Sequence, residues 1–113
     1  MASNEITIET PEPGVVVVSP VEDIDMSRSP QLRNALRGVQ NDRPRKIVVD
    51  LTRVGYMDSS GLATLVEAMR SAGQNGWQLI ICGLNPRVRA IFEIARLQSF
   101  FTIVPTRDEA LAN

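Results

Sequence analysis

A chain of 113 residues is long enough for one domain that buries about two-thirds of its unfolded surface without help from a disulfide or a metal. With 43% apolar and 22% charged residues its composition is that of a folded globular protein, which excludes a disordered chain. A formal net charge of −1 argues against a nucleic-acid surface, and the absence of histidine removes the commonest general base and metal ligand.

The chain shows no charged-then-apolar leader, and no apolar run approaches the roughly 20 residues that span a bilayer. The expectation is a cytoplasmic domain without membrane insertion. Cys82 is the single cysteine and ends the apolar run Leu79-Ile80-Ile81-Cys82, so it reads as a small buried hydrophobe. The cluster Arg43, Arg45 and Lys46, and the pair Arg87 and Arg89, read as solvated surface.

Ile6 and Ile8 alternate with polar residues, and Pro11-Glu12-Pro13-Gly14 supplies a turn before Val15-Val16-Val17-Val18, which together predict an N-terminal hairpin. Val21 to Asp25 fits either a brief strand or an ordered connection. Ser29-Pro30 predicts a helix start with a hydroxyl cap, followed by an apolar stripe at Leu32, Ala35, Leu36 and Val39 that Asn41-Asp42-Arg43-Pro44 stops. Ile47-Val48-Val49 is apolar at consecutive positions, the mark of a strand covered on both sides. A second stripe, Leu62, Leu65, Val66 and Met69, runs to a close at Gly73 and Gly76. Trp77 to Cys82 predicts another buried strand.

Asn85 before Pro86 predicts a capped third helix with its stripe at Val88, Ile91, Phe92 and Ala95. Phe100 to Val104 reads as a last strand and Arg107 to Leu111 as a short terminal helix. The alternation predicts a single α/β domain over residues 1–113. It is a mixed sheet of four or five strands, an N-terminal hairpin plus parallel strands, flanked by three or four helices.

Between the strand at Lys46–Leu51 and the second helix stands Tyr56-Met57-Asp58-Ser59-Ser60-Gly61-Leu62. The spacing predicts a helix cap at Asp58, Ser59 or Ser60 and at least one solvent-facing hydroxyl. A hydrolase elbow requires glycine two residues to each side of the serine, and neither Ser59 nor Ser60 has that pair. A catalytic triad lacks its histidine, and the phosphate-loop pattern Gly-x-x-x-x-Gly-Lys-Ser/Thr is absent. These readings predict no catalytic residues, no metal ligands and no cofactor.

Asp50-Leu51-Thr52, then Val54, Tyr56 and the run from Met57 to Leu62, resembles the central signature of the STAS domain family, in particular bacterial anti-sigma factor antagonists. Ile24-Asp25 with Pro30 and Leu32 resembles the family's first block, and Leu84-Asn85-Pro86-Arg87-Val88 its third-helix turn. The resemblance implies a phosphorylation switch: Ser59, directly after the motif aspartate, would be phosphorylated by a partner that is both anti-sigma factor and serine kinase. The unphosphorylated form would bind that partner and free a sigma factor, and a metal-dependent serine phosphatase would reset it. Asp25, Met57, Asp58, Ser60, Gly61 and Asn85 are the implied partner-binding residues. The alternative implied by the same family is a non-switching scaffold or a subunit of a stress-signalling or transport assembly. Oligomeric state is not assigned. The chain departs from the family pattern at Glu22, where glycine often begins the first block, and at Arg96-Leu97, where Gly-Leu commonly ends the third helix.

Overall fold

In the computed structural model, which describes residues 6–113, the hairpin consists of β1 (Ile6–Glu12) and β2 (Val15–Pro20). Residues 1–5 of the expected domain lie outside the described residues. The chain continues through α1 (Ser29–Gln40), β3 (Lys46–Asp50), α2 (Ser59–Asn75), β4 (Gln78–Cys82), α3 (Pro86–Ile94), β5 (Thr102–Val104) and α4 (Arg107–Ala112). The sheet order is β1-β2-β3-β4-β5, with β1 antiparallel to β2 and every later pair parallel. Each crossover therefore steps one place in the same direction, and crossovers of one hand put their helices on one face.

That face holds the main core, in which Leu32 and Leu36 of α1, Leu65 and Ala68 of α2 and Val88 and Phe92 of α3 cover Val16, Val18, Ile47, Val49, Leu79 and Ile81. The intervening residues Val17, Val48, Ile80 and Cys82 point to the opposite face and pack with Ala110 of α4. Consecutive apolar positions thus report two covered faces, as expected of Ile47-Val48-Val49. Burial, with the nearby Asp50 carboxylate, pushes the Cys82 thiol up to about 12 and leaves it an inert core residue.

Several boundaries differ from expectation for identifiable reasons. Ser29 is buried inside the first turn of α1 and caps nothing. Instead, Asp25 Oδ1 accepts hydrogen bonds from the amides of Ser27 (3.0 Å) and Arg28 (3.1 Å). In α2 the sheet-facing positions include the small residues Gly61, Thr64, Ala68 and Ala72, while Val66 and Met69 sit half-buried on its flank. A central helix wedged between two others approaches the sheet through its smaller side chains.

Gly73 lies within α2, and termination is left to Gly76 at φ 78°, whose amide and that of Trp77 both bond to Ala72 O (2.9 and 3.2 Å). Arg96 fills the same left-handed role after α3, at φ 61°, without glycine's freedom. β5 starts at Thr102 because Phe100 belongs to a turn, its amide bonding Leu97 O at 2.9 Å, while Phe101 folds into the core edge-on to Phe92. Lys46 is buried, not solvated. Its ammonium donates to the carbonyls of Ala110 (3.1 Å), Leu111 (3.1 Å) and Asn113 (2.8 Å), closing the C-terminal end of α4.

Candidate functional site

The site is the passage from β3 to α2 at the carboxyl edge of the parallel strands. Where β3 ends, Asp50 Oδ1 accepts from Thr52 N (3.0 Å) and Thr52 Oγ (2.5 Å), turning the chain while Leu51 and Val54 stay buried. The loop is then fastened from both sides. Asp23 Oδ1 accepts from the amides of Gly55 (3.2 Å) and Tyr56 (3.1 Å), and Asn85 Nδ2 donates to the carbonyls of Val54 (3.1 Å) and Gly55 (3.3 Å). The other end of the Asn85 amide caps α3 by accepting from Val88 N at 2.8 Å, as the Asn85-Pro86 pair predicts.

The undecided segment before Asp25 is a one-residue parallel bridge. Ile24 N donates to Tyr56 O (2.9 Å) and Asp58 N to Ile24 O (3.0 Å), which sets Asp25 beside Asp58. Beneath the bridge, Ile24 and Met57 are 2% and 1% exposed. A Cβ on Gly61 would stand 2.5 Å from Met57 Cγ and 2.8 Å from Ile24 Cγ2, so any side chain in this first turn of α2 would force those buried residues to shift. Met57 and Gly61, both expected at the partner surface, are buried beneath the loop in the free chain. They support the loop from below.

Asp58 is the helix cap. Its Oδ1 accepts from Ser60 N (2.8 Å), Ser60 Oγ (2.6 Å) and Gly61 N (3.4 Å). The Ser60 hydroxyl, followed by the two amides, holds the Asp58 carboxyl below its usual range against the opposing charge of Asp25. Asp25 is lowered in the same way, first by the Ser27 hydroxyl and then by the amides of Ser27 and Arg28. Both carboxylates are thus ionised at neutral pH. Ser59, the first residue of α2, is exposed, and its hydroxyl makes no hydrogen bond among the described residues.

The surface therefore brings together Asp25, Asp58, Ser59 and Ser60, with Asn85 half-buried at the margin as a brace. Sequence reasoning missed Asp23, the loop's second brace, and the exposed apolar side chains of the bridge segments, Met26 (75% exposed) and Tyr56 (42% exposed). Arg87 lies over the Tyr56 ring at 5.7 Å, a stacking that sequence spacing does not reveal. At the departure from the family pattern, Glu22 forms an ion pair with Arg28 at 3.1 Å.

Residues 7–110 match the STAS domain family. The chain belongs to that family. STAS relatives include an anti-sigma-B factor antagonist of Staphylococcus aureus, 33% identical over 81 residues that make up 72% of this chain and 75% of the relative. The crystal structure of an anti-sigma factor antagonist from Mycobacterium paratuberculosis superposes with a TM-score of 0.86 at 31% identity, covering 95% of this chain and 90% of that one. The STAS fold is also that of the Bacillus cell fate determinant SpoIIAA in its phosphorylated form, with a TM-score of 0.74 at 21% identity over 95% of this chain and 96% of that chain. The STAS match runs from β1 into α4 and so includes the Asp23-Ile24 and Asn85 segments that fasten the loop between β3 and α2. Among the described residues no helix is long and apolar enough to cross a membrane.

Proposed function

We propose that the protein is a cytoplasmic anti-sigma factor antagonist switched by phosphorylation of Ser59. Unphosphorylated, it binds an anti-sigma factor that is also a serine kinase, and a sigma factor is freed. The kinase phosphorylates Ser59, the complex dissociates, and a metal-dependent serine phosphatase restores the binding form. The protein itself supplies a surface and an acceptor hydroxyl, with no catalytic group, cofactor or nucleic-acid contact.

The observation that carries this reading is the Ser59 hydroxyl, exposed and unbonded among the described residues on a loop fastened by Asp23, Asn85 and the Ile24 bridge. Asp25, Asp58 and Ser60 are the direct partner contacts in this reading, with Met26 and Tyr56 as apolar anchors. Met57, Gly61 and Asn85 act by holding the loop. A phosphate adds roughly 1.5–2 negative charges, and burying it against a partner without a cation loses hydration worth several kcal/mol. Even about 3 kcal/mol lowers affinity more than a hundredfold, so the switch acts at the interface.

Incubation of the full chain with a purified anti-sigma factor/serine kinase and ATP tests the reading. One phosphate on Ser59 and loss of the complex are expected, with Ser59→Ala binding and remaining bound. Loss of binding in Ser59→Ala, or no phosphate with any candidate kinase of the host, overturns it in favour of a non-switching scaffold.

A further inference from the structure

Two serines stand side by side at the start of α2, and they are not chemically equivalent. Ser60 Oγ donates to Asp58 Oδ1 at 2.6 Å, and the same oxygen accepts from the Ser60 amide at 2.8 Å. The Ser60 hydroxyl is thus tied to a carboxylate and half-buried, whereas that of Ser59 is exposed and has no such tie. We infer that Asp58 is a selecting residue: by holding the Ser60 hydroxyl it leaves Ser59 as the phosphoryl acceptor. The inference rests on the switch reading above and adds to it the device that chooses between the two hydroxyls.

In the transfer, the acceptor Oγ attacks the γ-phosphorus of ATP. The new Oγ–P bond forms as the bond from that phosphorus to the ADP oxygen breaks, the hydroxyl proton passes to a base on the kinase, and ADP leaves. Ser59 offers both a lone pair and a free proton to this exchange. At Ser60 the proton is directed at Asp58, so a kinase base reaches it only after the capping hydrogen bond opens. Transfer to Ser60 would also remove the donor of that bond and set a dianion against the Asp58 carboxylate, a like-charge contact that neither the helix cap nor neighbouring Asp25 relieves. Asp58 is a positioning residue in this scheme and does not touch ATP.

Because both hydroxyls are in one molecule, the ratio of phosphate on Ser60 to phosphate on Ser59 reads the selection independently of overall rate. In the full chain incubated with excess kinase and ATP, site-resolved mass spectrometry should find phosphate on Ser59 almost alone. Asp58→Ala should raise the Ser60 share at least about tenfold, the effect of losing one hydrogen bond to a charged group. Asp58→Asn keeps an accepting oxygen and should restore most of the selectivity. A second readout needs no kinase: Ser60→Ala should raise the Asp58 carboxyl titration seen by NMR, and Ser59→Ala should not.

An unchanged site ratio in Asp58→Ala overturns the inference while leaving the switch intact. So does an Asp58 titration indifferent to Ser60→Ala. Absence of phosphate from both serines of the unaltered chain removes the switch reading itself, and the selection with it.

Discussion

Arg107 reaches back from the first turn of α4 to place Nε 3.0 Å from Asp50 Oδ2, on the last residue of β3. The same guanidinium donates to Glu9 Oε1 (2.7 Å) and Ser19 Oγ (3.1 Å), so one side chain joins β1, β2, β3 and α4. Burial alone pushes the Asp50 carboxyl upward, but hydrogen bonds from Thr52 and Arg107 outweigh it and hold the group below its usual range.

A depressed carboxyl contributes stability that is fully present above its unfolded value, about 4, and is lost as pH falls through the lower folded value. Arg107→Met removes the guanidinium but keeps the stem, so Asp50 should titrate higher and acid unfolding should begin at higher pH. The loss at neutral pH should be about 1 kcal/mol, less than the roughly 1.5–3 kcal/mol of a buried hydrogen bond to a charged group, because the arginine is partly exposed. Urea unfolding at pH 7 and pH 4 checks both the size and the sign.

Arg96 holds a left-handed conformation at φ 61° where glycine is the residue without a steric penalty. Arg96→Gly should stabilise the fold by roughly 0.5–1 kcal/mol, after the added freedom of glycine in the unfolded chain is set against the strain relieved. An unchanged or lower urea midpoint would show that the Arg96 side chain contributes more than its backbone costs.

Gly61→Ala should destabilise by about 1–3 kcal/mol, since the added methyl enters space occupied by Met57 and Ile24. It should also weaken partner binding, although Gly61 itself is hidden. Thermal unfolding and isothermal calorimetry with the anti-sigma partner measure the two effects separately.

Phosphate on Ser59 should leave the free domain folded as before. The dipole of α2 favours the phosphate by about 0.3–1 kcal/mol per charge, while Asp58 at ~6 Å opposes it by roughly 0.7–3 kcal/mol per charge pair with ε of ~20–80. These terms are similar in size and opposite in sign, so amide shifts should stay within residues 55–65. Widespread shifts would show a refolding switch.

The second face of the sheet gives one more test. Lys46→Met should free the C-terminal carbonyls of α4, destabilise it by about 1–3 kcal/mol and expose Cys82 to a thiol reagent that the unaltered protein resists. The rate of Cys82 labelling reports the opening directly.

The α1 stripe and the Asn85-Pro86 cap were legible because they depend on spacing within one segment, while the α2 and α3 stripes were only partly so: Val66 and Met69 lie on a flank and Ala95 is exposed past the end of α3. The hand-over from strand to helix at Asp58-Ser59-Ser60 was legible for the same reason, whereas spacing alone left open which of the three caps, and only the family resemblance singled out Ser59. The rest required contacts between segments distant in the chain. Met57 looks like an exposed motif residue until Ile24 pairs with it, and Lys46 looks like part of a basic surface until the end of α4 arrives 64 residues later. Ser29-Pro30 has the form of a cap, yet Asp25 binds the amides ahead of it, so local pattern yielded to a competing acceptor nearby.

The bridge between Ile24 and Met57 has a kinetic consequence. It fixes Asp25 and Asp58 as neighbours before any partner approaches, so docking requires little ordering of this chain. A template preformed in this way meets its partner at a rate set by diffusion and charge, and changes within the surface are felt as residence time. A phosphate on Ser59 should therefore shorten the life of the complex far more than it slows the encounter.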